Sequence, residues 1–277
     1  MPRKKSKFQE FKRFLKRNMT REWAAHFTYQ VVSFIVSVCL VIGVATYAVN
    51  KTYEERELKF TDDFTITAQT GSYGTENNSL ESIKTAVEND AESVEFDLRQ
   101  SFDKTLVLSN DIVVSETSCE KLEDVFKYLQ DKKVFVYIDV KETRTLSSLY
   151  EMILKYDLTD RVLLTGISLG DVQEVQTNCP NIQYYLNYMP NRIKIYFDDY
   201  QEKLIETLKE SGAIGINCNY NYACEKLSKV LHENDFKLCV TGVEKDRDIK
   251  RILVAKPNNI ITRNPDSVQK IIYNWYK

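Results

Sequence analysis

Glu95 and Asp97 lie two residues apart in a run rich in β-formers. Side chains alternate along a strand, so both carboxylates project from the same side. A third carboxylate, Asp139, closes another apolar run, and Lys141 follows two residues later. Grouped carboxylate oxygens are the hard ligands that Ca²⁺ or Mg²⁺ takes, with water completing the shell. The plainer alternative is a set of solvated or paired structural charges, as most Asp and Glu are. Histidine, the usual general acid/base near neutral pH, is scarce: the 277 residues hold two, His26 and His232. Chemistry that needs a histidine pair must use both of them or is excluded. Of the six cysteines, Cys39 falls in an apolar stretch; Cys119, Cys179, Cys218, Cys224 and Cys239 form no C-x-x-C pair. That pattern argues against a zinc site and reads as buried free thiols. Cys218 with Cys224 is an example of a pairing that an oxidising exterior would permit.

Such groups need elements to bring them together. Short apolar runs recur at 64–69, 93–98, 134–140, 161–166, 182–186, 213–217, 236–241 and 259–262, each followed by an amphipathic stretch. Strict alternation of this kind predicts a parallel sheet with helices on its outer face. Eight β-α units in about 214 residues predict a closed (β/α)8 TIM barrel near the small end of its size range. A doubly wound open sheet is the alternative, but no Gly-rich loop follows the first strand, which argues against dinucleotide binding. One segment breaks the rhythm. Residues 99–104 are too few for a helix and 105–109 are again apolar, which predicts an extra β-hairpin strand leading to Asn110 and Asp111. Barrels collect their functional groups at the C-terminal strand ends. Here those ends carry Gln69 and Thr70, Glu95 and Asp97, Asp139 and Lys141, and Thr262 and Arg263.

The net charge of -2 conceals a division. The first fifty residues hold nine Lys/Arg and two acids, against 29 Lys/Arg and 38 Asp/Glu in the rest. Residues 31–49 contain no charge, and with 23–30 ahead of them are long enough to cross ~30 Å of hydrocarbon. Trp23, Tyr29 and Tyr47 sit near the ends, where amphipathic rings favour the headgroup region. A cleaved signal peptide and a buried core helix are the alternatives. The reading is one transmembrane helix at 30–50, followed by a linker at 51–63 and the barrel domain at 64–277. Basic residues ahead of the span place the N-terminus in the cytoplasm and the barrel outside, as a single-pass protein of the cell membrane. Phe8, Phe11, Phe14 and Leu15, interleaved with basic residues, fit an interfacial helix on anionic lipid within the basic tail at 1–29. A solvated basic tail fits equally. The membrane is thus the expected partner, and nucleic acid is not.

The stretch from Ile66 to Asp111 resembles the core signature of the glycerophosphodiester phosphodiesterase family. That signature comprises an Ala-His-Arg-Gly opening, a Glu-Asn-Thr/Ser step, a Val-Glu-Leu-Asp-Val strand and a hairpin ending in His-Asp. Tyr137 to Lys141 (YIDVK) is similar to the family's Ile-Glu-Ile-Lys strand. Ile260 to Asp266 (IITRNPD) is similar to its closing Ile-Ile-Thr-Asp-x-Pro-Asp. The resemblance spans residues 64–277 and implies a barrel with the extra hairpin strand. In the family two histidines act as acid and base; the matching positions here are Gln69 and Asn110. Neither amide can exchange a proton near neutral pH. The phosphate-binding Arg becomes Thr70, so a bidentate cation is lost, while Lys141 matches the family's lysine. The family's metal set implies Glu95, Asp97 and Asp139, with Glu76 or Asn77 as the fourth ligand, and Ca²⁺ or Mg²⁺ as a weakly held or absent cofactor.

These readings converge on a membrane-anchored, extracytoplasmic pseudoenzyme. It would bind a phosphodiester, a polyol phosphate or an envelope polymer, or scaffold a membrane-protein partner. One alternative is an active metal-dependent phosphoric diester hydrolase with a rearranged site, in which Glu95, Asp97 or Asp139 serves as base. Another is a structural spacer on a membrane anchor.

Overall fold

The computed structural model describes residues 20–54, 56–113 and 119–275, together with Phe8 and Lys12. It divides into two compact units, Met1–Glu55 and Arg56–Lys277. The first contains helix α1 (Arg21–Glu54). The Thr20 hydroxyl accepts the Trp23 amide at 3.1 Å and so caps its start. Its segment Arg21–Val49, whose most apolar 18-residue window has a mean hydropathy of 2.4, is long and apolar enough to cross a membrane, and none of that window is buried. The helix begins before the predicted span at 30–50 and runs beyond it. No proline interrupts it, and Gly43, its one glycine, is not a sufficient break. Most of the basic tail, with its predicted interfacial helix, lies outside the described residues.

The second unit is the predicted (β/α)8 barrel. Its strands are β1 (Thr65–Gln69), β2 (Ser93–Gln100), β3 (Leu106–Leu108), β4 (Phe135–Val140), β5 (Val162–Ile167), β6 (Gln183–Asn187), β7 (Gly215–Asn219), β8 (Lys237–Thr241) and β9 (Asn259–Thr262). The sheet order is β1-β9-β8-β7-β6-β5-β4-β2-β3, and a further β1–β2 pairing closes it. All pairings are parallel except β2 with β3, which run antiparallel with Leu98 opposite Leu108. That hairpin is the extra strand expected from the short 99–104 segment. The outer ring comprises α2 (Leu80–Glu88), α3 (Leu122–Leu129), α4 (Leu146–Lys155), α5 (Val172–Asn178), α6 (Asp198–Ser211), α7 (Glu225–His232), α8 (Asp246–Val254) and α9 (Pro265–Trp275).

The period-two alternation of β2 sorts its side chains. Val94, Phe96 and Leu98 are buried beneath the helices, while Ser93, Glu95 and Asp97 turn to the barrel axis. Lower on the axis, Tyr137, Tyr185, Cys239 and Ile261 form the interior cluster, with Leu163 and Ile214 packed against it. The segment ahead of β1 is tied to the barrel, although it reads as linker. Leu58 is buried, the Trp275 indole donates to the Arg56 carbonyl at 2.8 Å, and Lys237 pairs with Asp63 at 2.7 Å.

Candidate functional site

The C-terminal ends of β1, β2, β4 and β9 open into a cavity of about 790 Å³. Glu95, Asp97 and Asp139 converge there, each offering a carboxylate oxygen within 4.8 Å of the others. The barrel's register explains the meeting, because Asp97 is paired with Asp139 across β2 and β4 and Glu95 with Gln69 across β1 and β2. Lys141 bridges two of the three, its ammonium lying 2.8 Å from Asp97 and 2.6 Å from Asp139. Glu95 is the deepest at 4% exposure, and its nearest donor is the Thr70 amide at 3.4 Å. Burial, reinforced by Asp97 and Asp139, pushes its carboxyl up to about 8. Burial also raises Asp139 against the pull of Lys141. For Lys141 burial acts downward, but Asp139 and Asp97 outweigh it and hold the ammonium above its ordinary range.

One ammonium among three carboxylates leaves negative charge uncompensated in a low-dielectric place. Three hard oxygen donors at this spacing fit Ca²⁺ or Mg²⁺, so Glu95, Asp97 and Asp139 could hold a divalent cation. Gly166 makes room for the arrangement. It bulges between β5 and β6 with φ +81°, and an added Cβ would fall 2.3 Å from Asp139 Oδ1 and 2.4 Å from the Val140 carbonyl oxygen.

The remaining expected residues are distributed around the same cavity. Gln69 and Asn110 both line it, and neither side-chain amide is hydrogen-bonded within the described residues. Asn110 is held through its backbone, whose carbonyl accepts Arg99 Nε at 2.9 Å. Thr70 lines the wall, with its hydroxyl already accepting the Asn78 amide. Glu76 and Asn77 also line the wall, but neither stands in the three-carboxylate group. Asn77 lies over Gly71, where an added Cβ would meet its Oδ1 at 2.0 Å. Of the two histidines, His26 is in α1 and His232 bonds Asn258 at 2.8 Å; neither lines the cavity.

Two further residues have roles that spacing alone does not reveal. Asn78 adopts φ 55°, a left-handed conformation that Asn tolerates better than most residues. From there its Nδ2 donates to Asp97 Oδ2 at 2.9 Å and its Oδ1 accepts the Asp97 amide at 3.0 Å. It thus fixes the β1–α2 loop to the carboxylate that β2 presents. Ser79 then caps α2 by accepting the Ser82 amide at 3.0 Å. The Asn-Ser pair at 78–79, matching the end of the Glu-Asn-Thr/Ser step, is the sequence signal for both. Arg263 lines the mouth with no ion-pair or hydrogen-bond partner among the described residues.

A closed parallel barrel with an antiparallel hairpin strand after its second strand, and carboxylates gathered at its C-terminal mouth, is the fold of the glycerophosphodiester phosphodiesterases. The chain is similar to such an enzyme from Parabacteroides distasonis, with a TM-score of 0.64, 18% identity, and coverage of 78% of this chain and 100% of that one. It is similar to another from Thermotoga maritima, with a TM-score of 0.60, 18% identity, and coverage of 75% and 98%. A phosphodiesterase from Oleispira antarctica, solved with its product sn-glycerol-3-phosphate, superposes with a TM-score of 0.63 at 14% identity, covering 78% and 97%. No family model matches the chain, and no curated protein does.

Proposed function

We propose that this chain is a membrane-anchored, extracytoplasmic binding protein on the glycerophosphodiester phosphodiesterase fold, which captures a phosphodiester or polyol phosphate without hydrolysing it. One observation carries the reading. The cavity presents two unengaged amides, Gln69 and Asn110, beside the acidic cluster, and no imidazole. Amides donate and accept hydrogen bonds to phosphate and hydroxyl oxygens but move no protons near neutral pH. Losing the proton-transfer groups costs ~10²–10⁴-fold in rate.

The cavity is otherwise acidic. Glu76, Asp97, Asp111, Glu120 and Asp139 line it against Lys141 and Arg263. An anionic ligand would be repelled by such a wall unless positive charge is added. A divalent cation on Glu95, Asp97 and Asp139 would supply that charge and ligate phosphate oxygens. With Lys141 spent on its two aspartates, Arg263 is, among the described residues, the lining cation free to fork onto a phosphate. The same chemistry serves a free glycerophosphodiester and a repeat of an envelope polyol-phosphate polymer. The uncharged stretch of helix α1 at 31–49 and the basic residues ahead of it support the anchor and its orientation.

The test uses the full chain in detergent micelles with millimolar Mg²⁺ or Ca²⁺. Glycerophosphodiesters should not turn over. Glycerol phosphate should bind saturably, only with the cation, and about tenfold more weakly in Arg263→Ala, the loss of one charge-assisted contact. Cation-dependent turnover abolished by Asp97→Ala would establish the rearranged hydrolase instead. No binding, and no shift in melting with either cation, would leave the spacer.

A further inference from the structure

The barrel has a second opening. At the N-terminal ends of the strands, opposite the acidic mouth, a cavity of about 380 Å³ reaches inward to Tyr137 and Tyr185. It shares no lining residue with the acidic mouth. Eight-stranded barrels ordinarily fill this space with bulky branched side chains. Here the small side chains of Thr65 of β1 and Ser93 of β2 line it, and it ends against Tyr137 and Tyr185, which are 5% and 2% exposed. The volume lies in the range of ~300–1,000 Å³ that small-molecule sites occupy.

The walls define the chemistry. Tyr137 and Tyr185 stack with ring centroids 6.3 Å apart and planes 21° from parallel, and Phe135 at the rim is 45% exposed. Lys237 is half-exposed at the rim, and its ammonium is paired with Asp63 at 2.7 Å. Asn258 donates to the other oxygen of Asp63 at 2.8 Å. Asp160, also on the rim, has no ion-pair or hydrogen-bond partner among the described residues. The cavity therefore combines an exposed aromatic ring at its rim, Phe135, with a lining of net negative charge, Asp63 and Asp160 against Lys237. Aromatic faces attract cations through the ring quadrupole, an anion would meet Asp160 unshielded, and a neutral ligand would gain from the rings alone.

We propose that this basal cavity binds a small organic cation, an ammonium with an apolar or aromatic body. The body packs on Phe135 with its inner end against the tyrosine pair, and the charge is held at the rim by Asp160. The site is independent of whether the acidic mouth binds or hydrolyses its ligand.

Benzylammonium and its neutral counterpart benzyl alcohol serve as probes, titrated calorimetrically into the full chain in micelles against empty micelles. Benzylammonium should bind saturably and benzyl alcohol about tenfold more weakly. Asp160→Asn should erase that difference. Leu163→Trp, which fills the cavity, should abolish binding of both. Glycerol phosphate with Mg²⁺, directed to the acidic mouth, should leave both affinities unchanged, which separates this site from that one. Equal affinity for the two probes, undiminished preference in Asp160→Asn, displacement by glycerol phosphate with Mg²⁺, or no saturable heat would each overturn the proposal. Asp160 is exposed, so its variant keeps the test decisive should Leu163→Trp not fold.

Discussion

Glu95 lies at the bottom of the acidic mouth with one weak donor and two carboxylate neighbours. Its proton is retained up to about pH 8 in the fold, against an ordinary value of 4.5. Between those values the folded chain binds a proton that the unfolded chain has released. Stability is therefore full below the unfolded value and is lost as pH rises through the folded one. In metal-free buffer, the midpoint of urea unfolding should fall as pH rises from 5 to 9. Glu95→Gln, which keeps the shape and removes the charge, should flatten that dependence and stabilise the chain at pH 9 by about 1–4 kcal/mol. Added Mg²⁺ or Ca²⁺ should restore the wild type and leave the variant unchanged. A steeper pH dependence in the variant would contradict the buried-charge account. At this scale much of the site was legible. Glu95 and Asp97 were joined by a two-residue period, and Asp139 and Lys141 by their place at a strand end. Asn78 was hidden, because its contact with Asp97 depends on a left-handed backbone and a loop folding back over nineteen residues.

Among the elements, β2 and β5 place the carboxylates in different ways. β2 does so by alternation, with its outer face anchored by Phe96, which is fully buried. β5 does so by default, since its Gly166 leaves empty the space that Asp139 and the β4 backbone occupy. Phe96→Ala should cost ~3–5 kcal/mol, yet leave cation binding intact in the folded fraction. Gly166→Ala must displace Asp139 or the Val140 carbonyl and adopt a strained positive φ. It should lose cation binding, measured by the cation-induced rise in melting temperature, even where it remains folded. A full cation response in Gly166→Ala would show that Asp139 is not a ligand. The hairpin could be read from sequence because six residues cannot make a helix between two apolar runs. The Gly166 bulge could not, since a glycine closing an apolar run reads equally well as a strand end. The ends of α1 were missed for a similar reason, as helix formers continue on both sides of the uncharged stretch.

At the level of the whole molecule, the eight-unit count anticipated the closed barrel. What the count could not supply is which segments close the ring. β1 meets β9 in parallel, with Thr65 opposite Asn259, and their side chains bond across 194 positions at 3.1 Å. Beyond that seam, Trp275 bonds the carbonyl of Arg56. Pairings this distant in sequence form late, because loop closure precedes any return from the contact. A chain ending at residue 256 should therefore lack a cooperative melt. In Trp23→Phe, where Trp275 is the remaining tryptophan, the fluorescence change on refolding should track the slowest phase. A Trp275 signal that completes before that phase would mean that the ends dock first. The seam also sets a timetable for synthesis. Until β9 has emerged, β1 and β8 are bare edges, open to proteases, chaperones and neighbouring chains. The arrival of β9 thus determines how long β1 stays unprotected.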